Sequence, residues 1–200
     1  MKYFGLTVFV LLGFIHLHGQ TAGSGKNEFS VWGGFSPDSS TEIKALGRTP
    51  DVRFGLVSIR YSRRFNNNDA VNLKYTADIT PAAFANYPDA LSLNSKRRSA
   101  YGFGVSPLGL QANFRPRKTV QPFVGTSGGM MYFDKRMPNA LGTRFTFTAD
   151  IGAGVEIMLK EKRSVTLGYK YFHISNAGRG DLNPGIDNNL FYVGYTFFSK

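Results

Sequence analysis

"RFTFTADIGAGVEIML", residues 144–159, alternates from Phe145 to Ile157: Phe145, Phe147, Ala149, Ile151, Ala153, Val155 and Ile157 against Thr146, Thr148, Asp150 and Glu156. Side chains that change face at every residue define a strand. A strand of this length with one apolar and one polar side is the pattern of a transmembrane barrel, where the apolar side meets lipid and the polar side meets the lumen. The same phase recurs upstream, where Val71, Leu73, Tyr75, Ala77 and Ile79 oppose Asn72, Lys74, Thr76 and Asp78.

Extending the reading along the chain gives eight strands, at roughly 27–36, 52–64, 70–80, 99–114, 120–133, 144–159, 164–176 and 188–198. Pro107 interrupts the fourth and predicts a bulge, because proline cannot donate to the ladder. Three connections, "NNND", "RPRK" and "KEKR", are short and polar, whereas 37–51, 81–98, 134–143 and 177–187 are long and rich in Gly, Pro, Asn or Ser. Short turns at one end and long loops at the other match periplasmic turns and outward loops. The expected fold is therefore all-β, an eight-stranded antiparallel transmembrane β-barrel. A soluble β-sandwich is the alternative, but it would leave the aromatic and aliphatic face in water. Inward positions Arg60, Lys74, Asp78, Asp150, Glu156 and Lys170 predict a lumenal ion-pair network, since eight strands enclose about enough room for side chains.

Composition narrows the chemistry. The 200 residues hold 18 Phe, 10 Tyr and 23 Gly, a β-rich profile for a single domain. Met1–Lys2, an apolar Phe4–Leu17 and a small-residue zone from Gly19 to Gly23 read as a secretory signal over 1–19, ending as late as 23, with the barrel spanning 27–198. No cysteine is present, which excludes thiol nucleophiles, thiolate zinc sites and disulfides. His16 and His18 fall in the signal, so His173 is the one imidazole of the mature chain, and no multi-histidine metal site is expected. The formal charge of +11 suits an anionic partner. No nucleic-acid-binding signature accompanies it, so nucleic acid is not expected.

Strand seven carries the chemistry. Val165, Leu167, Tyr169, Tyr171, His173 and Ser175 share the lipid-facing phase, so His173 and Ser175 lie side by side on the outer wall at the strand's outward end. A Ser beside a His is the arrangement that activates a hydroxyl. Asp187, across the last loop, shares the odd phase with Phe191, Val193, Tyr195 and Phe197, and can hold the imidazole as the third member of a triad. Asn176 and the N–H groups around Ala177 and Gly178 are the candidate oxyanion donors. The "RGD" at 179–181 suggests adhesion, but in a Gly-rich loop it is read as chance.

"HISNAGRGDLNPGID", 173–187, resembles the lipid A 3-O-deacylase (acyloxyacyl hydrolase) family of the Gram-negative outer membrane, and "SPLGLQANF" (106–114) and "VQPFVGTSGGMMYF" (120–133) resemble it more loosely. The resemblance implies His173 as base, Ser175 as nucleophile, Asn176 as oxyanion contributor and Asp187 as the acid, where the family carries Glu. It implies hydrolysis of a hydroxyacyl ester on the glucosamine backbone of lipid A, without metal or cofactor, in the bacterial outer membrane. The lipid's phosphates would favour the basic loop residues Lys96, Arg97, Arg98, Lys135, Arg136 and Arg179. The alternative function is a non-enzymatic barrel that binds lipopolysaccharide or a surface ligand through those loops. Whether two copies associate as a homodimer is left open by the sequence.

Overall fold

The computed structural model describes residues 26–39, 49–66, 68–88, 96–159 and 162–198. The expected signal peptide lies outside the described residues, as do parts of the first two long loops. Eight strands follow in order: β1 (Asn27–Ser36), β2 (Arg53–Arg64), β3 (Val71–Pro88), β4 (Arg97–Phe114), β5 (Val120–Met137), β6 (Thr143–Leu159), β7 (Arg163–Ser175) and β8 (Ile186–Phe198). Each pairs antiparallel with the next, and β1 pairs with β8, so the sheet closes. Closure leaves no strand edge unpaired, the condition for placing β structure in lipid. The soluble sandwich is overturned by it.

The outer wall is apolar, with Phe29, Val31, Ile59, Ile79, Phe103, Ile151 and Phe191 among its exposed side chains. At Pro107 the ladder slips against both neighbours, between Thr76 and Asp78 on one side and between Val105 and Leu108 on the other. The Pro107 carbonyl, released from the ladder, accepts the Tyr75 hydroxyl. One consequence is a change of phase: Val105 faces outward before the bulge, and Leu108 and Leu110 after it.

β3 and β5 run further than the sequence suggests. β3 continues through Pro81 to Pro88, with a second slip between Thr80 and Ala83, and β5 continues to Met137. Arg97 and Arg98 belong to β4, and Lys135 and Arg136 to β5, rather than to loops. Pairs from Ala83–Gly102 to Pro88–Arg97 carry β3 and β4 on together, and Met137–Thr143 rejoins β5 to β6.

The lumen is layered. Lys74 Nζ sits between Glu28 (2.8 Å) and Glu156 (3.0 Å), with Arg64 also on Glu28. Above them Arg60 pairs with Asp78 (2.9 Å), Trp32 donates to Asp78 (2.8 Å), and Lys170 pairs with Asp150 (2.9 Å). Toward the loops the polar pattern gives way to a plug of Phe54, Tyr87, Phe133, Phe172, Ile174, Ile186 and Leu190, all buried. Phe172 stacks on Phe54 with ring centroids 5.5 Å apart. This apolar layer lies beyond the ion-pair network that the inward polar residues predict. It gives the outer end of β7 a packed backing, with Phe172 and Ile174 anchored inward on either side of His173.

Candidate active site

The register of the last hairpin places His173 directly opposite Asp187 and Tyr171 opposite Asn189. β8 begins at Ile186, so Asp187 is a strand residue held by the ladder rather than a loop residue that must reach across. His173 Nδ1 lies 2.5 Å from Asp187 Oδ1. A carboxylate only accepts, so Nδ1 carries the hydrogen of this contact. Asp187 is 1% exposed and the imidazole 17%, which puts the contact in a largely dry setting on an otherwise greasy wall.

Ser175 is the final residue of β7 and shares the outward face with His173. Across the sheet it faces Phe147, while His173 faces Ala149. No hydrogen bond joins Ser175 Oγ to the imidazole among the described residues. Their Cα atoms stand about 6.5 to 7 Å apart at two residues' separation on one face of the strand.

Immediately after Ser175 the chain reverses. Arg179 N–H donates to the Asn176 carbonyl at 3.1 Å. Ala177 and Gly178 both take positive φ, 52° and 74°. These are the features of a type I′ turn, which glycine enters freely and alanine at a cost of about 1–2 kcal/mol. Strain of this kind persists where surrounding contacts impose it, and here they do. Asn176, buried, donates from Nδ2 to the Leu182 carbonyl (2.8 Å), accepts the Gly178 N–H on Oδ1 (2.9 Å) and gives its own N–H to Asn183 Oδ1 (3.0 Å). Of the expected oxyanion donors, the N–H groups of Asn176 and Gly178 are thus engaged within the loop. The Ala177 N–H and the second Nδ2 hydrogen of Asn176 remain.

The six basic residues expected near substrate do not form one group. Arg97 is clamped on Asp51 (2.7 Å) and Asn86, and Lys135 donates to the Ser99 carbonyl (2.7 Å). Lys96 and Arg98 adjoin Arg97 at the start of β4. Arg136 and Arg179 instead line a single cavity together with Arg144. Sequence reasoning missed Arg144, which reads there as the first residue of a strand. It also missed Asn183, whose asparagine among Gly and Pro was a loop signal only, and Tyr171, whose buried hydroxyl lies against the Asp187 carboxylate on the His173 face.

A closed eight-stranded barrel with an apolar outer wall, bearing Ser, His and Asp on that wall at its loop end, defines a class: small outer-membrane barrels with a candidate hydrolytic site facing lipid. The lipid A 3-O-deacylase (PagL) family matches over residues 52–196, and the chain belongs to that family. The crystal structure of the outer membrane enzyme PagL matches with a TM-score of 0.58 at 17% identity, covering 84% of this chain and 98% of that one. The outer membrane protein OprG from Pseudomonas aeruginosa matches with a TM-score of 0.52 at 13% identity, covering 88% and 99% respectively. At such identities these likenesses concern the fold, which is that of a bacterial outer-membrane barrel. No curated protein matches the chain.

Proposed function

We propose that the protein is an outer-membrane esterase that removes a 3-O-linked hydroxyacyl chain from lipid A, with Ser175 as nucleophile, His173 as general base and Asp187 as the group that orients it. The observation that carries the reading is the 2.5 Å contact between His173 and Asp187, made beside Ser175 on the lipid-facing wall of a chain in the deacylase family. With Nδ1–H committed to the carboxylate, Nε2 is the nitrogen that takes the Ser175 proton. The hydroxyl oxygen attacks the acyl carbonyl, and the imidazolium that forms is stabilised by Asp187. The Ala177 N–H, exposed by the strained turn, is the donor best placed to receive the tetrahedral oxyanion, with Asn176 fixing the turn around it. His173 then protonates the sugar alkoxide, and water hydrolyses the acyl-enzyme by the same route.

A site on the outer wall suits this substrate, because lipid A presents its esters at the interface between headgroup and hydrocarbon. The test is mass spectrometry of lipid A incubated with the purified barrel in detergent. Loss of one hydroxyacyl chain is expected from the wild type and not from Ser175→Ala. Equal loss from both would remove the nucleophile assignment, and loss from neither would favour a non-enzymatic lipopolysaccharide-binding barrel.

A further inference from the structure

Above the candidate site, the loop between β5 and β6 meets the loop between β7 and β8. Leu182 N–H donates to the Leu141 carbonyl at 3.3 Å, which ties the two together. Gly180 lies so close that a Cβ there would stand 2.8 Å from Asn176 Nδ2 and 3.0 Å from the Leu141 carbonyl oxygen. The two loops border an open-mouthed recess of about 520 Å³, lined by Arg136, Thr143, Arg144, Arg179, Gly180 and Asp181. Three guanidinium groups against one carboxylate leave it with a surplus of two positive charges, counted as three minus one from those residues.

Each arginine is held differently. The Arg179 guanidinium lies 4.7 Å from the Phe147 ring centroid and 5.8 Å from that of Phe145, so its face is covered and its N–H edge is left for a ligand. Arg136 makes one long contact, 3.3 Å, to the Ala140 carbonyl. Arg144 makes no ion pair or hydrogen bond among the described residues, and neither does Asp181. A guanidinium fork matches phosphate geometry better than any other side chain.

We propose that this cavity seats a phosphate monoester carried on a sugar, the phosphorylated glucosamine of the lipid headgroup, and thereby selects which acyl ester reaches Ser175. The proposal deepens the deacylase reading and rests on it for the identity of the ligand. A phosphate monoester carries a charge of about −1.5 to −2 at neutral pH, matching the surplus. Asp181 would be left unpaired by a bare anion, whereas the hydroxyls of a sugar can donate to it. The volume also lies within the range of about 300–1,000 Å³ typical of small-molecule sites, which suits a phosphorylated ring better than phosphate alone. Arg179 packs on Phe147, and Phe147 is the cross-strand neighbour of Ser175. That chain of contacts sets the seat on the order of 10 Å from the nucleophile.

The experiment is calorimetric titration of the full-length Ser175→Ala barrel in detergent with bisphosphorylated lipid A, with lipid A stripped of phosphate by phosphatase, and with inorganic phosphate alone. Phosphorylated lipid A is expected to bind about tenfold or more tightly than the stripped lipid. Arg144→Ala and Arg136→Ala should each erase most of that preference, and Arg144→Lys should restore part of it. Heat-modifiable mobility on gels reports that each variant is folded. Equal binding of the two lipids, or a preference that survives both alanine variants, overturns the seat. Arg144-dependent binding of inorganic phosphate that displaces the lipid overturns the sugar-borne part. Absence of acyl release by the wild-type barrel, with the Arg144-dependent preference intact, would instead remove the deacylase reading and leave the seat standing.

Discussion

Replacing Asp187 by Asn keeps the shape of the contact with His173 and removes its charge. The magnitude follows from the geometry. In the transition state the imidazole becomes a cation against a carboxylate whose nearest oxygen is 2.5 Å from Nδ1 and whose side chain is 1% exposed. Two unit charges with centres about 4 Å apart interact by about 4 kcal/mol at an effective dielectric constant near 20, which corresponds to roughly a thousandfold in rate. Loss of the enforced tautomer adds to this, because an Asn can also present its amide N–H to Nδ1 and turn the proton onto Nε2. The expected outcome is a fall of about 10³ to 10⁴ in single-turnover acyl release, measured by mass spectrometry of lipid A in mixed micelles, with barrel folding unchanged. Asp187→Glu, which installs the residue the resemblance implies for the family, should retain activity within about tenfold, since the carboxylate stays and only one methylene must be accommodated. Activity of the Asn variant within tenfold of wild type would refute the role assigned to the carboxylate.

Other perturbations probe the surroundings. Phe172→Ala, which empties the buried stacking partner of Phe54, should cost about 3–5 kcal/mol in urea unfolding and lower activity by loosening His173. Gly180→Val should separate the two outer loops, given the 2.8 Å and 3.0 Å distances a Cβ would already meet; the cost is about 1–3 kcal/mol, and acyl release should fall while the barrel still migrates as folded. Lys74→Ala leaves Glu28 and Glu156 without their shared cation deep in the lumen, so unfolding should become easier by about 3–5 kcal/mol. In that variant acyl release from the folded fraction should stay close to wild type, because the lumenal network lies at the opposite end of the barrel from Ser175.

The barrel was legible because lipid imposes alternation: Phe145 to Ile157 and Val71 to Ile79 can satisfy a bilayer on one side only. Pro107 announced its bulge through a missing donor. The overrun of β3 was hidden because Pro81 and the slip between Thr80 and Ala83 break the alternation, and that of β5 because Asp134, Lys135 and Arg136 carry no apolar phase. The apolar plug was not read from the sequence, because Phe172 and Ile174 occupy the inward phase that elsewhere in the barrel is polar. At the site, phase alone put His173, Ser175 and Asp187 on one wall, and the hairpin register then fixed which residues face each other. The turn after Ser175 and the arginine cavity lay beyond sequence reasoning. Asn176 is spent on Leu182, Gly178 and Asn183, and Arg144 meets Arg136 and Arg179 only because two loops are stitched together at Leu141 and Leu182.

The central claim is that Ser175 is a nucleophile activated by His173. Treatment of the folded barrel with a lipophilic fluorophosphonate, followed by peptide mass spectrometry, reads this without reference to any particular substrate. The account predicts a single phosphonate adduct on Ser175, formed within minutes in the wild type and slowed by about a thousandfold or more in His173→Ala. An unlabelled Ser175, or labelling that proceeds equally well without His173, would contradict it.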